Sequence, residues 1–181
     1  MTQKLKPLLL AFALLLASAH GSAAVTDDIR ALAASAKQPQ QRYKRPYDEQ
    51  DWLERFYAAR AYAPAWLGPN AGRAAAAVAL LEEAATQGLP PADYQAEALD
   101  KQLRAATPAD AAFDVALTRA MLHYLADLRV GRVRSEYHSA GPDPRLKSFD
   151  PVEQLRIADD ENRLAGADTR AQPRIPFNKR T

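Results

Sequence analysis

Apolar residues recur every three or four positions along most of this 181-residue chain, and no stretch alternates apolar and polar residues with a period of two. The first spacing is that of a helix with one buried face, whereas the second would indicate a strand. Alanine is abundant and the chain has only 7 glycines, which also favours helices. The pattern therefore predicts an all-α fold, a small bundle of about five to six helices.

Capping residues, prolines and glycines indicate where these helices begin and end. The predicted helices are a short one capped by Thr26, Asp27 and Asp28; one from near Asp48 that stops before Pro64; one from Asn70 to Gln87, closed by Gly88; a short one through about Arg104; one from Thr107 to Gly131; and one from Asp150, where Glu153 completes a capping box. Asn70 and Thr107 are the predicted N-caps of their helices, and Pro108 takes the first helical position after Thr107. The inward positions predicted for the third helix are Ala74, Ala77, Val78, Leu81 and Ala85.

The helix that begins at Thr107 is the longest and has the most regular pattern. One of its faces carries a continuous apolar stripe, formed by Phe113, Leu117, Met121, Tyr124, Leu125 and Leu128. A stripe of this length is buried only when other helices cover it. We therefore expect this helix to be the central element of the bundle.

The first 24 residues have the pattern of a secretory signal peptide. Lys4 and Lys6 give a positive start without any acidic residue, and an unbroken apolar run follows at residues 8–16. Small residues then offer cleavage after Ala19 or Ala24. The apolar run is much shorter than the roughly 20 residues that span a bilayer, so a transmembrane anchor is the weaker interpretation. The sequence predicts export to the periplasm.

Four segments follow from these patterns. We expect a signal peptide at 1–24, a short helix and linker at 25–47, a helical domain at 48–164 and a disordered tail at 165–181. The tail is set apart by two prolines, by four basic residues from Arg170 onward and by the loss of any apolar rhythm.

Composition excludes several kinds of chemistry. The chain has no cysteine, which excludes disulfides, zinc–thiolate sites, a cysteine nucleophile and lipid attachment through cysteine. The formal net charge is +2, but without Lys4 and Lys6 the remaining 22 basic residues equal the 22 acidic ones. A neutral chain gives no electrostatic reason to expect nucleic acid or, once the signal peptide is cleaved, a membrane as partner.

The remaining ionisable residues indicate no cofactor and no metal site. His123 and Asp127 are four positions apart on the long helix, but two ligands without a third make a weak metal site. A histidine at the boundary of the helix is the simpler interpretation. The acidic runs at 82–83 and 159–161 are adjacent in sequence on helices, so we expect them to form solvated faces.

The segment 56–66 is unusually rich in aromatic residues. It offers Arg60, Tyr62 and Trp66 as candidates for binding a sugar, the rings by stacking and the arginine by pairing with an anion. The alternative, which we favour, is that Phe56 and Trp66 are core residues at a corner where a helix meets a proline turn.

The segment 127–133 is the second candidate. Here the long helix ends at a glycine, and Arg129 and Arg132 lie near its negative pole. They could be presented to a partner, or they could stabilise the end of the helix, with Asp127 pairing to one of them. We favour the stabilising role.

Together, four segments resemble the N-terminal scaffold domain of the large periplasmic L,D-transpeptidases. They are F-Y-A-A-R-A-Y-A-P-A-W at 56–66, G-L-P-P-A-D-Y at 88–94, D-V-A-L-T-R-A-M-L-H-Y-L-A-D-L-R-V-G-R-V at 114–133 and F-D-P-V-E-Q-L at 149–155. The resemblance covers residues 48–162. Enzymes of this family cross-link or trim peptidoglycan through a cysteine in a later, mostly β domain, and usually carry a small peptidoglycan-binding module.

The resemblance implies a scaffold without the catalytic part. No cysteine loop is present, so no catalytic residue of the family carries over to this sequence. We therefore expect an exported, non-enzymatic scaffold or interaction domain of cell-wall metabolism, with peptidoglycan or cell-wall enzymes as its partners. A transpeptidase fragment that has lost its catalytic domain and a stand-alone glycan-binding module are the two alternatives.

Overall fold

The computed structural model describes residues 23–35, 48–105, 109–130 and 149–160. Within these ranges the chain forms six α-helices and three short 3-10 turns, without a strand. The helices are α1 at 23–34, α2 at Glu49–Ala58, α3 at Ala71–Glu82, α4 at Ala96–Leu103, α5 at Ala111–Val130 and α6 at Pro151–Asp160. The all-α prediction is confirmed.

Helix α5 lies at the centre of the bundle. It packs against α2, α3, α4 and α6, and all six residues of its predicted apolar stripe are buried. The prediction of its start is wrong, because the helix begins at Ala111 and the preceding Asp110 caps it by accepting a hydrogen bond from the backbone N–H of Phe113. Thr107 and Pro108 lie outside the described residues. Both Thr107 and Asp110 are good capping residues, so the pattern alone does not choose between them.

Helix α2 begins where the sequence places it. Asp48 is its N-cap and accepts a hydrogen bond from the backbone N–H of Asp51. The helix buries its first aromatic residue, Trp52, together with Leu53, Phe56 and Tyr57. Its polar first turn and apolar inner face together explain why this segment is helical.

Helix α3 is shorter than predicted. It ends at Glu82, and a 3-10 turn at Glu83–Gln87 leads to Gly88, whose φ of 73° is the expected left-handed glycine stop. In the 3-10 turn the side-chain period falls from 3.6 to 3, so Ala84 is buried in place of the predicted Ala85. Asn70 precedes α3 without capping it, and its side chain donates a hydrogen bond to the carbonyl of Pro64.

Helix α6 begins with half of the predicted capping box. The Asp150 carboxylate accepts a hydrogen bond from the backbone N–H of Val152, as expected. Glu153 does not complete the box, because its carboxylate instead pairs with Arg156 one turn later. The buried positions of this helix include Val152 and Leu155, as predicted.

The N-terminal helix α1 places two residues in the core, Ile29 and Ala33. The predicted signal sequence up to residue 22, the linker at 36–47, Gly131 with the following loop and the tail at 165–181 lie outside the described residues. Among the residues that are described, no helix is both long and apolar enough to cross a bilayer.

The turn after α2 contains two consecutive residues in the left-handed region, Ala61 and Tyr62, with φ angles of 51° and 59°. A β-carbon in this region costs about 1 kcal/mol, and glycine avoids that cost. We expect Ala61→Gly to raise the free energy of unfolding in urea by up to about 1 kcal/mol. The matched control is Ala76→Gly, which is also exposed but lies in the middle of α3, and which should lower the free energy of unfolding by a similar amount. Equal losses in both variants would contradict this account of the turn.

Candidate functional site

The central helix α5 buries polar side chains on two sides. Asp114 and Thr118 lie one turn apart in its first half, and His123 and Asp127 lie one turn apart in its second half. At 100° per residue, the nine positions from Asp114 to His123 turn the helix to about its opposite side. Burying such groups is costly unless each finds a partner, so their contacts identify the positions where other segments are held against α5.

Asp114 is completely buried and accepts three hydrogen bonds from the segment that follows α2. The donors are the hydroxyl of Tyr57 at 2.7 Å and the backbone N–H groups of Ala65 at 3.0 Å and Trp66 at 2.8 Å. Burial raises the pKa of this carboxyl, although the three donors and Arg60 favour its charged form. Burial and the neighbouring carboxylate also hold the pKa of Tyr57 well above its usual range. One carboxylate thus fixes the corner between α2 and α3 to the first half of α5.

Thr118 extends this contact into a chain of hydrogen bonds. The indole N–H of Trp66 donates to the Thr118 hydroxyl oxygen at 2.8 Å, and the Thr118 and Tyr57 hydroxyl oxygens are 2.7 Å apart. Because the single hydroxyl proton of Tyr57 goes to Asp114, the Thr118 hydroxyl must donate to Tyr57. Each link donates in one direction and ends on the carboxylate, so every member is satisfied and the corner is rigid.

Asp159 lies near the end of α6 and holds two arginines from other segments. Its carboxylate is 2.8 Å from the guanidinium of Arg60 and 2.7 Å from that of Arg73, and only 6% of the residue is exposed. Arg73 also donates to the backbone carbonyl of Asp159 at 3.1 Å. The expectation of a solvated acidic face is therefore wrong for Asp159, because two cations draw its side chain inward, whereas Glu82 and Glu83 are exposed as expected.

Glu49 forms a third buried contact, between the start of α2 and the second half of α5. Its carboxylate oxygens lie 2.7 Å from Nε of Arg119 and 3.0 Å from Nε2 of His123, whose ring also meets Trp52 edge-on. Burial raises the pKa of Glu49, but His123 and Arg119 outweigh this and hold it below its usual value. The interpretation of His123 as a helix-boundary residue is wrong, since the residue is 3% exposed and paired.

Asp127 joins α5 to the short turn before α4. The hydroxyl of Tyr94 donates to its carboxylate at 2.9 Å, and the Tyr94 ring packs edge-on against Tyr124. The expected pairing partners of Asp127 were arginines at the end of α5, and sequence reasoning missed this tyrosine, which is 33 positions away. The partner could not be found from local spacing because it belongs to another element.

The candidate binding residues from the sequence do not form one site. Arg60 is engaged with Asp159 and with the carbonyls of Ala63 and Pro64, and Trp66 is 1% exposed. Tyr62 is half-buried. Arg129 is half-buried at the other end of α5, 5.8 Å from the centre of the Phe149 ring, and Arg132 lies outside the described residues.

Sequence reasoning missed Asp114, Thr118 and Glu49. A signal for the first two was present, because Asp114 and Thr118 are four positions apart and each directly follows a residue of the apolar stripe. Polar residues at that spacing on a largely apolar helix indicate a buried contact to another segment. Glu49 carried no such signal, since an acidic residue in a first helical turn is ordinary.

The described residues offer little for catalysis. They contain no group of three or more histidine, aspartate or glutamate side chains that could hold a metal ion. A cleft of about 380 Å³ lies between the end of α4 and the start of α5, lined mainly by alanines with Gln102 and Asp110 as its polar residues. The Asp110 carboxylate already caps α5. This cleft therefore lacks the convergent polar groups of an active site.

These observations define a class of protein: a helical domain whose buried ionisable side chains join its own helices. A family model described as a scaffold domain matches residues 51–178, which is more than half of the chain. The chain belongs to this family, the scaffold domain of L,D-transpeptidases, and the resemblance drawn from the sequence is confirmed. No curated protein and no solved structure matches the chain.

The Asp159 contact leads to a prediction. We expect Asp159→Asn to lower the free energy of unfolding by about 2 kcal/mol, because it leaves Arg60 and Arg73 half-buried without a counter-charge. Urea denaturation measures the loss. The control is Glu153→Gln on the same helix, which disrupts an exposed pair with Arg156 and should cause no measurable loss. Equal losses of stability in Asp159→Asn and Glu153→Gln would show that burial does not strengthen the Asp159 contact.

Proposed function

We propose that this chain is an exported, non-catalytic scaffold that holds a catalytic domain of the peptidoglycan cross-linking machinery in place. Membership of the scaffold domain family carries the proposal. The positive and apolar N-terminal segment supports export to the periplasm.

The internal contacts support a holding role. Three of the segments that resemble the transpeptidase scaffold meet one another through Asp114 and Asp127, so residues within the resembling segments join the helices. A domain fixed in this way presents a rigid surface, which is what positioning a neighbour requires. Because the 181 residues contain no cysteine, they cannot form the thioester on which the transpeptidases rely.

The alternative of glycan binding by segment 56–66 loses most of its support. A sugar stacks on an exposed ring face, but Phe56, Tyr57 and Trp66 are each at most 2% exposed. Tyr62 keeps some exposed surface, and the guanidinium of Arg30 lies 4.6 Å from its ring centre. We therefore infer that the chain associates with peptidoglycan as part of the assembled enzyme, and not through these aromatic rings.

The charge of the chain gives no support for a nucleic-acid partner. Without Lys4 and Lys6, 22 basic residues are balanced by 22 acidic ones. A neutral chain has no net electrostatic attraction for a phosphate backbone. We therefore expect no nucleic-acid partner.

The test is a reconstitution with three arms. The purified chain is incubated with disaccharide tetrapeptides alone, with purified sacculi alone, and with a purified L,D-transpeptidase catalytic domain from the same organism. We expect no cross-linked product from the chain alone. We expect the chain to co-purify with the catalytic domain and to be retained on sacculi when that domain is present.

Two results would contradict the proposal. Turnover of tetrapeptides by the chain alone would make it an enzyme, and failure to bind the catalytic domain would remove its scaffold role. Retention on sacculi without the catalytic domain would favour direct glycan binding, which Tyr62→Ala should then abolish without loss of helical circular dichroism.

A further inference from the structure

Val25 is the first packed residue in the part of the chain that the structure describes. Helix α1 covers residues 23–34, but its first two residues, Ala23 and Ala24, are exposed and do not belong to the core cluster or to the residues packed against it. Val25 is partly buried against that cluster, and Ile29 and Ala33 are completely buried. The packed face of α1 therefore begins at Val25.

The apolar pattern of this face starts at the same residue. Val25, Ile29 and Leu32 follow one another at helical spacing. One turn upstream, the same face would need an apolar residue at position 21 or 22, and the sequence has Gly21 and Ser22 there. Glycine is also unfavourable inside a helix. The sequence before Val25 therefore has no pattern that would add to the packing of α1.

The capping residues predicted for this helix lie inside it while the N-terminal segment is attached. Thr26, Asp27 and Asp28 occupy the fourth to sixth positions of α1. Threonine and aspartate are poor residues for the interior of a helix and good ones for its cap and first turn. In a chain that begins at Val25, these residues lie at the start of the helix. There the two carboxylates also offset the positive charge of the new terminal amine.

We propose that export removes residues 1–24 by hydrolysis of the Ala24–Val25 bond, so that the mature protein begins at Val25. Of the two cleavage positions in the sequence, after Ala19 and after Ala24, the second releases a chain that begins at its first packed residue and at its helix cap. A signal peptidase would add the hydroxyl of water to the Ala24 carbonyl carbon and a proton to the Val25 nitrogen. This inference rests on the proposed export and names its processing site.

The position of this bond in the helix is compatible with cleavage. The bond lies in the first turn of α1, and the two alanines before it are exposed. The terminal turn of a helix frays readily, so a peptidase can reach the bond without unfolding the domain.

The test identifies the N-terminus of the exported protein. The full chain is expressed in a bacterium with an outer membrane, and the periplasmic product is analysed by intact mass and N-terminal sequencing. We expect one product, which begins at Val25. Ala24→Leu places a bulky residue directly before the bond and should reduce this product about tenfold or more, because cleavage requires a small residue there. The matched control, Ala19→Leu, should leave it unchanged.

A comparison of the two possible products tests the structural argument separately. Chains that begin at His20 and at Val25 should have the same midpoint of urea denaturation, because the described residues before Val25 add no buried contact. A chain that begins at Arg30 lacks the cap and the buried Ile29, so its midpoint should be lower.

Three results would overturn the inference and leave the proposed export intact. They are a periplasmic product that begins at His20, unchanged cleavage of Ala24→Leu at the same bond, and a lower urea midpoint for the chain that begins at Val25 than for the one that begins at His20. A precursor of full length that stays in the cytoplasm would contradict the export as well.

Discussion

Replacing Asp114 with alanine is expected to lower the free energy of unfolding by about 4 kcal/mol, the largest effect of any single substitution predicted for this protein. The change removes the common acceptor of the Tyr57 hydroxyl and of the backbone N–H groups of Ala65 and Trp66, all of which are buried. Each donor left without an acceptor costs about 1–3 kcal/mol, and partial rearrangement keeps the total below the sum. Urea denaturation followed by tryptophan fluorescence measures the loss and reports directly on Trp66.

Two controls make this prediction specific. Asp100→Ala removes a carboxylate from an exposed pair with Arg104, so its effect should be small. Thr118→Val removes the second acceptor of the same network but leaves the carboxylate, and it should cost less than Asp114→Ala. If Asp114→Ala were as mild as Asp100→Ala, the corner between α2 and α3 would not depend on this carboxylate.

The apolar pattern predicts the fold well wherever burial follows one helical period. The stripe from Phe113 to Leu128 placed α5 at the centre correctly, because a continuous stripe has only one way to be covered. The boundaries were less predictable for local reasons. Thr107 and Asp110 are equally good caps, and nothing in the sequence around Glu82 indicates that the helix tightens to a 3-10 turn.

The polar contacts were harder to predict because their partners lie far apart in sequence. Asp159 is 99 positions from Arg60, and Tyr57 is 57 positions from Asp114. An adjacent run of acidic residues looks the same in sequence whether it faces water or is drawn inward by arginines. The segments that carried the family resemblance contained several of these residues, such as Tyr94 and Asp127, but the resemblance did not show that they contact each other.

The buried polar contacts fix the orientation of α2 relative to α5. Helix α2 is tied to α5 at both ends, by Glu49 at its start and by Tyr57 near its end. Tying both ends fixes the crossing of the two helices, whereas apolar packing alone would permit them to slide. The polar residues of α5 therefore specify how the neighbouring helices cross it. This role explains why such a deeply buried helix contains several polar side chains.

Replacing Glu49 with glutamine is expected to lower the free energy of unfolding by about 3 kcal/mol at pH 7, since it removes a buried charge and leaves Arg119 and His123 without their anion. The loss should depend on pH in a defined direction. The pKa of Glu49 in the folded chain lies below its ordinary value of 4.5. Between these two values the unfolded chain binds the proton more readily, so stability from Glu49 is fully present above pH 4.5 and disappears as the pH falls through the folded pKa.

The difference in stability between the unchanged chain and Glu49→Gln isolates this effect. Asp114 acts in the opposite direction, because its raised pKa makes the folded chain bind the proton more readily, but it is common to both proteins and cancels. The difference should therefore shrink as the pH falls below about 4.5, where Glu49 is protonated first in the unfolded and then in the folded chain. Glu97→Gln, which removes the charge of an exposed pair with Lys101, should give no such difference. A difference in stability that does not shrink below about pH 4.5 would contradict the charged pairing of Glu49 with Arg119 and His123.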